Sequence, residues 1–516
     1  MEQTAKYNEL GEKPVGKLLT QYAIPAIIAM AASSIYHIID GIFIGQGVGP
    51  EAIMGLALTG PVMSLTAAFG AMVGVGASTL MSVRLGQRDY GTAGRILGNV
   101  IVMNVLMGLS LGFVLLLFLE PIMRFFGASD ATLPYACEFM TVILAGNVVT
   151  HLYLGLNSLL RSTNRPKLAM YATFGTVLLN CALAPLFIFV MGWGIRGAAL
   201  ATVLSQFIML LWQLRLFSRK DDLVHLSRST LRPERRIVSE SLLIGLPSFL
   251  MNLCACLVAA IFTRSMSEYG GDVAVGSYGI THRLVLFIVL VVIGLNQGMQ
   301  PIAGFNFGAQ KYDRLISVLK LTMIFATIVT TTGFLVCMIF AEECATLFAK
   351  SSPELIAEAS RGLRIAVMMF PFVGIQIVST TFFQSIGYAG KSIFLSLTRQ
   401  LIFLLPAVLI LPHFFDDPVL GVWYSMPLSD AAATLLAIAL LSVEIRKFKQ
   451  GNPSLGAALR QYPPQNFNHE HRHSRKCRTD FLAARRNFRH QHRASTGQRW
   501  QSHWSLAGCC ARHGLF

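Results

Sequence analysis

Two ionisable residues interrupt an apolar segment near the start of the chain. The stretch SIYHIIDGIFIG, residues 34–45, contains Asp40, and His37 lies three positions earlier. In an α-helix these two side chains share a face, one turn apart. A charge at the centre of a bilayer costs roughly 2.5–3.5 kcal/mol, and such residues usually serve an ion or substrate pathway. The pair is therefore a candidate cation site, and the alternative is an acid near a helix end that reaches the membrane boundary.

Further polar side chains fall inside other apolar segments. Amides and hydroxyls there hydrogen-bond between helices as readily as they bind a ligand, so both roles stay open for Asn180, Thr202, Gln206, Asn296, Gln297 and Gln300. For Arg283 and Asp430 a functional role is favoured, and an ion pair that only joins helices is the alternative. The candidate substrate-cavity residues are Tyr36, Asn157, Arg283, Gln297, Gln300 and Asp430.

The composition is typical of an integral membrane protein. Of 516 residues, 54% are hydrophobic and 13% charged, whereas soluble domains carry about 25% charged residues. A spanning helix needs roughly 20 apolar residues. The apolar segments lie at about 17–44, 54–82, 96–119, 134–160, 168–191, 196–217, 240–264, 273–304, 315–341, 361–383, 392–412 and 418–444. The sequence therefore predicts an all-α fold with twelve transmembrane helices, embedded in a lipid bilayer.

The segments between these helices alternate in charge. One set is rich in Lys and Arg: 83–95, 161–167, 215–236, 308–314, 387–391 and 444–450. The other set is poorer in both: 45–52, 120–132, 268–272, 342–354 and 413–418. The positive-inside rule assigns the first set to the cytoplasm, so both termini are expected there. The net charge of +16 then indicates cytoplasmic loops and not a nucleic-acid partner.

The chain repeats itself at a nearly constant offset. Gly86 and Gly308, Tyr90 and Tyr312, and Pro25 and Pro247 are 222 residues apart; Lys167 and Lys391, Gly197 and Gly421, and Ser205 and Ser429 are 224 apart. Each unit holds six predicted helices, so both units enter the membrane in the same orientation. Parallel repeats of this kind are common in secondary transporters, with the substrate cavity between the halves.

This repeat suggests five regions. They are a cytoplasmic N-terminus (1–16), a first lobe (17–217), a basic linker (218–238), a second lobe (239–448) and a basic tail (449–516). The tail lacks apolar periodicity and is expected to be disordered. Its His469, His471, His473 and Cys477 do not have the spacing of a common structural zinc site, and the composition of the tail raises the hypothesis of an out-of-frame C-terminus.

Motifs for several other functions are absent or stand outside the context that they need. The sequence has no GxxxxGK[ST] motif, and its nine cysteines form no CxxC pair. HEHRH (469–473) fits HExxH and GLSLG (108–112) fits GxSxG, but the first lies in the basic tail and the second inside an apolar segment. An ATP-driven pump and a membrane-embedded enzyme are therefore disfavoured. A secondary transporter powered by an ion gradient fits better, with no cofactor and a monomer as the default state.

Four stretches together resemble the multidrug and toxic compound extrusion (MATE) transporters, in the prokaryotic branch with DinF-like and MepA-like proteins. They are IPAIIAMAASSIYHIIDGIFIG, RLGQRDYGTAGRIL, GLNQGMQPIAGFNFGAQKYDR and the region from QSIGYAGK to GVWYSMPLSD. The resemblance covers about residues 17–448. It implies a two-lobe antiporter with twelve helices, which exports cationic and amphipathic organic compounds in exchange for H⁺ or Na⁺.

The resemblance also implies a cation site in the first lobe, made of an acid, an Asn with an Asp one turn later, and a Thr. Asp40, Asn180 and Thr202 match, but Ala184 stands where the second acid is expected. A site with one carboxylate, beside His37, favours H⁺ over Na⁺. We expect Asp40 to face a wet central cavity. If this site is degenerate, Asp430 or Arg283 would act instead.

Two alternative functions are also compatible with this resemblance. A flippase for a lipid-linked or polysaccharide precursor would share the same architecture, with a more cationic cavity. A transport-impaired regulatory member would account for the missing acid and the unusual tail.

Overall fold

The computed structural model describes residues 2–219, 222–227, 229–348 and 352–450, except the side chains of residues 2–6 and of His37. The tail hypotheses, including the zinc ligands, fall outside the described residues. In the first half the helices are α1 (Glu2–Glu12), α2 (Val15–Gly47), α3 (Pro50–Gly86), α4 (Tyr90–Leu117), α5 (Leu119–Phe125), α6 (Leu133–Ala145), α7 (Asn147–Ser162), α8 (Pro166–Pro185) with a π-helical extension (Leu186–Val190), and α9 (Gly194–Phe217).

The second half contains α10 (Arg235–Gly308), α11 (Tyr312–Ile339), α12 (Ala341–Thr346), α13 (Pro353–Ala366), α14 (Phe370–Ser385), α15 (Ala389–Leu397), a π-helical segment (Thr398–Leu404), α16 (Leu405–Ile410), a 3₁₀ turn (Leu411–Phe414) and α17 (Pro418–Lys449). No strand occurs in the described ranges. The predicted all-α class is confirmed.

The twelve predicted spans are all present. The described residues include nine helices that are long and apolar enough to cross a membrane, and two further pairs that do so together: α6 with α7, bent by 56°, and α13 with α14, bent by 57°. One of the nine, α10, has 74 residues and breaks at Gly271, where φ is 61°. A helix of that length would be about 110 Å long, so its arms 235–270 and 272–308 are separate spans.

The backbone repeats with the sequence. Turn residues with positive φ recur at offsets of 222 or 223: the pairs are Gly49 and Gly271, Arg88 and Gln310, and Asn164 and Gly387. The two bent helix pairs also occupy equivalent places in the two halves. Two parallel six-helix repeats, as predicted, account for both observations.

The two halves pack together at one end only. We call the end with loops 87–89, 163–165, 218–234, 309–311 and 386–388 the basic end, and the other the far end. Near the basic end one hydrophobic cluster includes residues of both halves, among them Leu80, Met299 and Ile302. Toward the far end, the apolar clusters among the described residues are separate for each half. The halves therefore enclose a cleft that opens at the far end.

Glycines allow the close approach at the basic end. A Cβ atom at Gly76 of α3 would overlap the carbonyl oxygen of Ser241 in α10, and one at Gly308 would overlap that of Val83. Gly86 makes the reciprocal contact with Phe305. This arrangement follows from the repeat, because α3 and the second arm of α10 are equivalent helices that each pack against the other half.

The short helix α1 also bridges the two halves at this end. Asn164 of the first half donates from Nδ2 to Glu9 Oε2 at 3.3 Å. From the second half, Lys311 Nζ donates to the carbonyl oxygen of Gly11 at 2.8 Å, and Arg314 Nη2 to that of Lys13 at 2.6 Å. The last carbonyls of a helix have no partner within it, and here cationic side chains of the second half supply one.

Candidate functional site

Asp40 lies inside the first half and not in the cleft. It is on α2, 6% exposed, and its Oδ1 is buried without a hydrogen-bond partner in the described residues. Its carboxylate interacts electrostatically with Tyr36 and with Cys181 of α8. Ile27 packs against Gly294 of the other half. It lies on the side of α2 opposite to Asp40, because the separation of 13 residues between the two positions corresponds to about 220° of rotation. The expectation that Asp40 faces a wet central cavity is therefore wrong.

Thr202 connects the three helices around this acid. Its Oγ1 accepts a hydrogen bond from Asn180 Nδ2 at 3.1 Å and lies 3.0 Å from the hydroxyl of Tyr36. It also lies 3.2 Å from the carbonyl oxygen of Ala198, one turn earlier on α9. Tyr36 and Asp40 are four residues apart on α2 and so share a face. The structure thus brings Asp40, Asn180 and Thr202 into one neighbourhood, together with Tyr36, which the sequence indicated as a cavity residue.

The position of the missing acid belongs to the same neighbourhood. Ala184 is fully buried and follows Asn180 by one helical turn on α8. Among the described residues, no group of three or more His, Cys, Asp or Glu side chains is arranged to hold a metal ion. The side chain of His37 is outside the description, so its role beside Asp40 stays a prediction.

The second half has a different polar pair in its interior. Arg399 Nε donates to Asp430 Oδ1 at 2.8 Å, with Asp430 6% and Arg399 30% exposed. Arg399 lies in the π-helical segment 398–404, a type of irregularity that is frequent at functional sites. The sequence analysis did not select Arg399, although an arginine in an apolar segment was a usable signal. Asp430 is thus neutralised by a fixed cation, whereas Asp40 is not.

The remaining predicted cavity residues are spread over several places. Gln300 donates to Thr79 Oγ1 across the halves at 2.9 Å, and Gln297 lies 3.7 Å from the sulfur of Met30. Both therefore sit where the halves meet, at the floor of the cleft. Asn157 donates to the carbonyl oxygen of Ala169 at 3.0 Å, inside the first half toward the basic end.

Arg283 faces the cleft. It is exposed on the second arm of α10, and Gly294, which packs against α2, is three helical turns further along the same face. Phe287, on that face too, is 68% exposed, and Ile38 on the facing side of α2 is 65% exposed. The cleft is thus apolar on one wall and carries a cation on the other.

The sequence matches the MatE family over residues 25–186 and again over 247–409. These two matches cover more than half of the chain and begin 222 residues apart, the same offset as the sequence and backbone repeats. The chain belongs to the MatE family. It is therefore a multi-pass membrane protein of a transporter family, as the resemblance implied.

Named MatE relatives cover almost the same length. Multidrug export protein MepA of Staphylococcus haemolyticus (strain JCSC1435) is 25% identical over 430 residues, 83% of this chain and 94% of the relative. MepA of Staphylococcus aureus (strain MSSA476) is 27% identical over 434 residues, with the same coverage.

Solved structures agree with the fold. A multidrug resistance MATE family transporter of the MOP superfamily, in its outward-facing conformation, superposes with a TM-score of 0.80 at 25% identity, covering 86% of this chain and 98% of the other. A MOP superfamily transporter from Pyrococcus furiosus, described as having a binding pocket of reverse polarity, superposes with a TM-score of 0.81 at 25% identity and the same coverage.

Proposed function

We propose that this MatE protein is an antiporter that exports cationic and amphipathic organic compounds through the cleft, driven by entry of a cation at Asp40. The relatives named as multidrug export proteins support the substrate class. The separate apolar clusters at the far end support a cleft that is accessible from one side of the membrane at a time. The proposed cellular location is the bacterial inner membrane, with the basic end and both termini on the cytoplasmic side.

The observation that carries the proposal is the unpartnered carboxylate oxygen of Asp40. A buried acid without a partner is costly, so binding of a cation stabilises the first half strongly. Tyr36, Thr202 and Asn180 are already linked to one another by hydrogen bonds. An alkali ion needs several oxygen ligands that replace its water shell, whereas a proton needs one. We therefore propose H⁺ as the coupling ion, with Na⁺ as the alternative.

Coupling follows from the two states of Asp40. Loading and release of the cation change the charge inside the first half. If the cation binds one conformation of the protein more tightly than the other, its binding shifts the populations of the two conformations. If the organic cation binds better in the conformation from which the coupling cation has left, transport in opposite directions results. Met and Phe side chains, 21 and 34 in the chain, suit an adaptable apolar cavity.

The test is ethidium uptake into everted vesicles, the direction that corresponds to export from the cell, under an imposed H⁺ or Na⁺ gradient. We expect wild type to transport with the H⁺ gradient, Asp40→Asn to be inactive, and Glu51→Gln to retain transport. Glu51 is an exposed acid in the first turn of α3, so its variant controls for the loss of one charge. Uptake driven by Na⁺ alone would overturn H⁺ coupling, and an active Asp40→Asn would overturn the site.

Arg283 favours a second candidate, a flippase for an anionic lipid-linked precursor. An exposed cation on the cleft wall would attract a phosphate-bearing substrate and repel an organic cation. Deletion of the gene distinguishes the two functions: drug sensitivity without an envelope defect supports export, and an envelope defect without drug sensitivity supports the flippase.

A further inference from the structure

A cavity of about 470 Å³ lies at the basic end of the first half, away from the cleft. We call it the α8 cavity, because the start of α8 forms one wall. The ends of α2 and α9 and the following loop complete it. It is lined by Gln21, Asn164, Arg165, Pro166, Lys167, Leu168, Leu216, Arg219 and Asp222. No part of the proposed transport cycle uses this cavity.

Cations outnumber acids in the α8 cavity. Three of its lining residues are basic and one is acidic. The acid, Asp222, already forms an ion pair with Arg165. Lys167 and Arg219 are exposed, and no carboxylate among the described residues pairs with either of them. The cavity therefore has two cationic groups available for an anion.

The Arg165 guanidinium is held in place next to a like charge. Burial lowers the pKa of Arg165 below its usual value; Tyr7 opposes this effect and the neighbouring Arg219 adds to it. Two guanidinium groups near each other with a single carboxylate leave a net positive potential, and an anion bound there would relieve the repulsion. Arginine is well suited to phosphate because its planar group donates two parallel hydrogen bonds.

The second half shows that the fold does not require this charge. Lys391 is the equivalent of Lys167, and it pairs with the buried Glu444 and lies 4.7 Å from the ring centre of Tyr388. The lysine at this helix start thus has a carboxylate partner in one repeat, whereas its equivalent in the other repeat has none among the described residues. Since both repeats fold alike, the unpaired cations of the α8 cavity need an explanation other than helix geometry.

The cavity also has the polarity of a membrane interface. Leu168 and Leu216 form apolar parts of its wall, while Lys167 and Arg219 lie at the ends of two membrane-spanning helices, where headgroups would be. Basic pockets between helices at this level bind anionic headgroups. We propose that the α8 cavity binds the phosphate group of an anionic phospholipid.

Such a lipid would lie next to Asn164, which helps helix α1 to join the two halves. Asn164, on the cavity wall, donates to Glu9 of α1 and accepts from the hydroxyl of Tyr22 at 2.7 Å. A bound phosphate would therefore be in direct contact with the residue that attaches α1 to the first half, and would stabilise the closed basic end.

The experiment measures binding of phosphatidylglycerol to the purified full-length protein in neutral detergent, by native mass spectrometry and by thermal shift. Each Lys or Arg contributes about fivefold in affinity at a membrane surface. We therefore expect Lys167→Gln/Arg219→Gln to bind about 25-fold more weakly. Arg446→Gln, which removes an exposed cation from the last turn of α17, should change affinity less than about twofold.

Three further arms decide the outcome. Unchanged melting of the lipid-free double variant would show that it folds, and a single variant, Lys167→Gln, would replace it if it does not. Equal weakening by Arg446→Gln, or no weakening by the double variant, would overturn the site. Glycerol 3-phosphate and inorganic phosphate test the source: if either competes as well as phosphatidylglycerol, the site binds soluble phosphates and the lipid assignment is wrong. None of these readouts depends on transport.

Discussion

At the scale of residues, the two halves differ in whether a buried acid has a cationic partner. Asp430 has a fixed guanidinium partner in Arg399, whereas one oxygen of Asp40 has none among the described residues. An acid with a guanidinium partner is already neutralised, whereas an acid without one can load and release a cation. This difference supports the proposal that the ion gradient acts on the first half.

Restoring the second carboxylate should change the ion that binds. Ala184→Asp places an acid one turn after Asn180, on the face of α8 that carries Asn180. A second negative charge adds oxygen ligands, so we expect Na⁺ to raise the melting temperature of this variant by several degrees over K⁺, and not that of wild type. Ala184→Asn, which adds a side chain of the same size at the same place without the charge, is the control. Equal responses of wild type and Ala184→Asp to Na⁺ would contradict the prediction.

The Arg399–Asp430 pair should behave as one unit in stability measurements. Arg399→Gln leaves a buried carboxylate without its partner, which costs about 2–5 kcal/mol of unfolding free energy. Adding Asp430→Asn removes the unpaired charge, so the double variant should recover most of the loss. A double-mutant cycle by chemical denaturation measures this. If the two losses simply add, the residues are not coupled and the ion pair is unimportant.

At the scale of elements, the contact between α3 and α10 depends on residues without a side chain. Gly76 packs against the backbone of Ser241 and Gly245, while Gly60 on the same helix has nothing within 4 Å of the place where its Cβ would lie. A methyl group at Gly76 must push the halves apart, because its obstacle is backbone and cannot rotate away.

Gly76→Ala and Gly60→Ala form a matched pair of variants. We expect Gly76→Ala to lower the free energy of unfolding by about 1–3 kcal/mol, as overpacking does. Gly60→Ala should leave it equal or raise it by about 0.5–1 kcal/mol, because alanine favours the helix. Thermal unfolding in the same detergent compares them. Equal melting temperatures for the two variants would show that the halves separate here without cost.

At the scale of the whole molecule, hydropathy and the 222-residue offset predicted the number of spans and the repeat, because both are set by local composition and by duplication. The proximity of Asn180 and Thr202 to Asp40 was implied by the family resemblance. The orientation of Asp40 toward the interior of the first half could not be read from the sequence. The sequence shows which face of a helix carries a polar residue, but not which neighbouring helices that face contacts. The charge of Arg399 in an apolar segment was a usable signal, but its pairing with Asp430, 31 residues away on another helix, could not be read from the sequence.

The helix α1 joins the halves at the closed end, and two of its contacts with the second half can be removed separately. Its C-terminal carbonyls accept from Lys311 and Arg314, and cations at a helix C-terminus also interact favourably with the helix dipole. Lys311→Met/Arg314→Met removes these donors and retains the side-chain volume. We expect faster hydrogen exchange of the amides of residues 7–13, by about tenfold for a loss of about 1.4 kcal/mol.

Lys320→Met, an exposed substitution on α11, is the control and should leave the exchange of residues 7–13 unchanged. Attachment through Glu9 to Asn164 of the first half is retained in both variants. If the proposed transport cycle opens the basic end, α1 can stay with only one half in the second conformation. Lys311→Met/Arg314→Met should then shift the protein toward that conformation. A cysteine placed at Ser82, which is buried at the closed end, should be labelled more in this variant. Unchanged labelling together with faster exchange would mean that α1 follows the opening and does not restrain it.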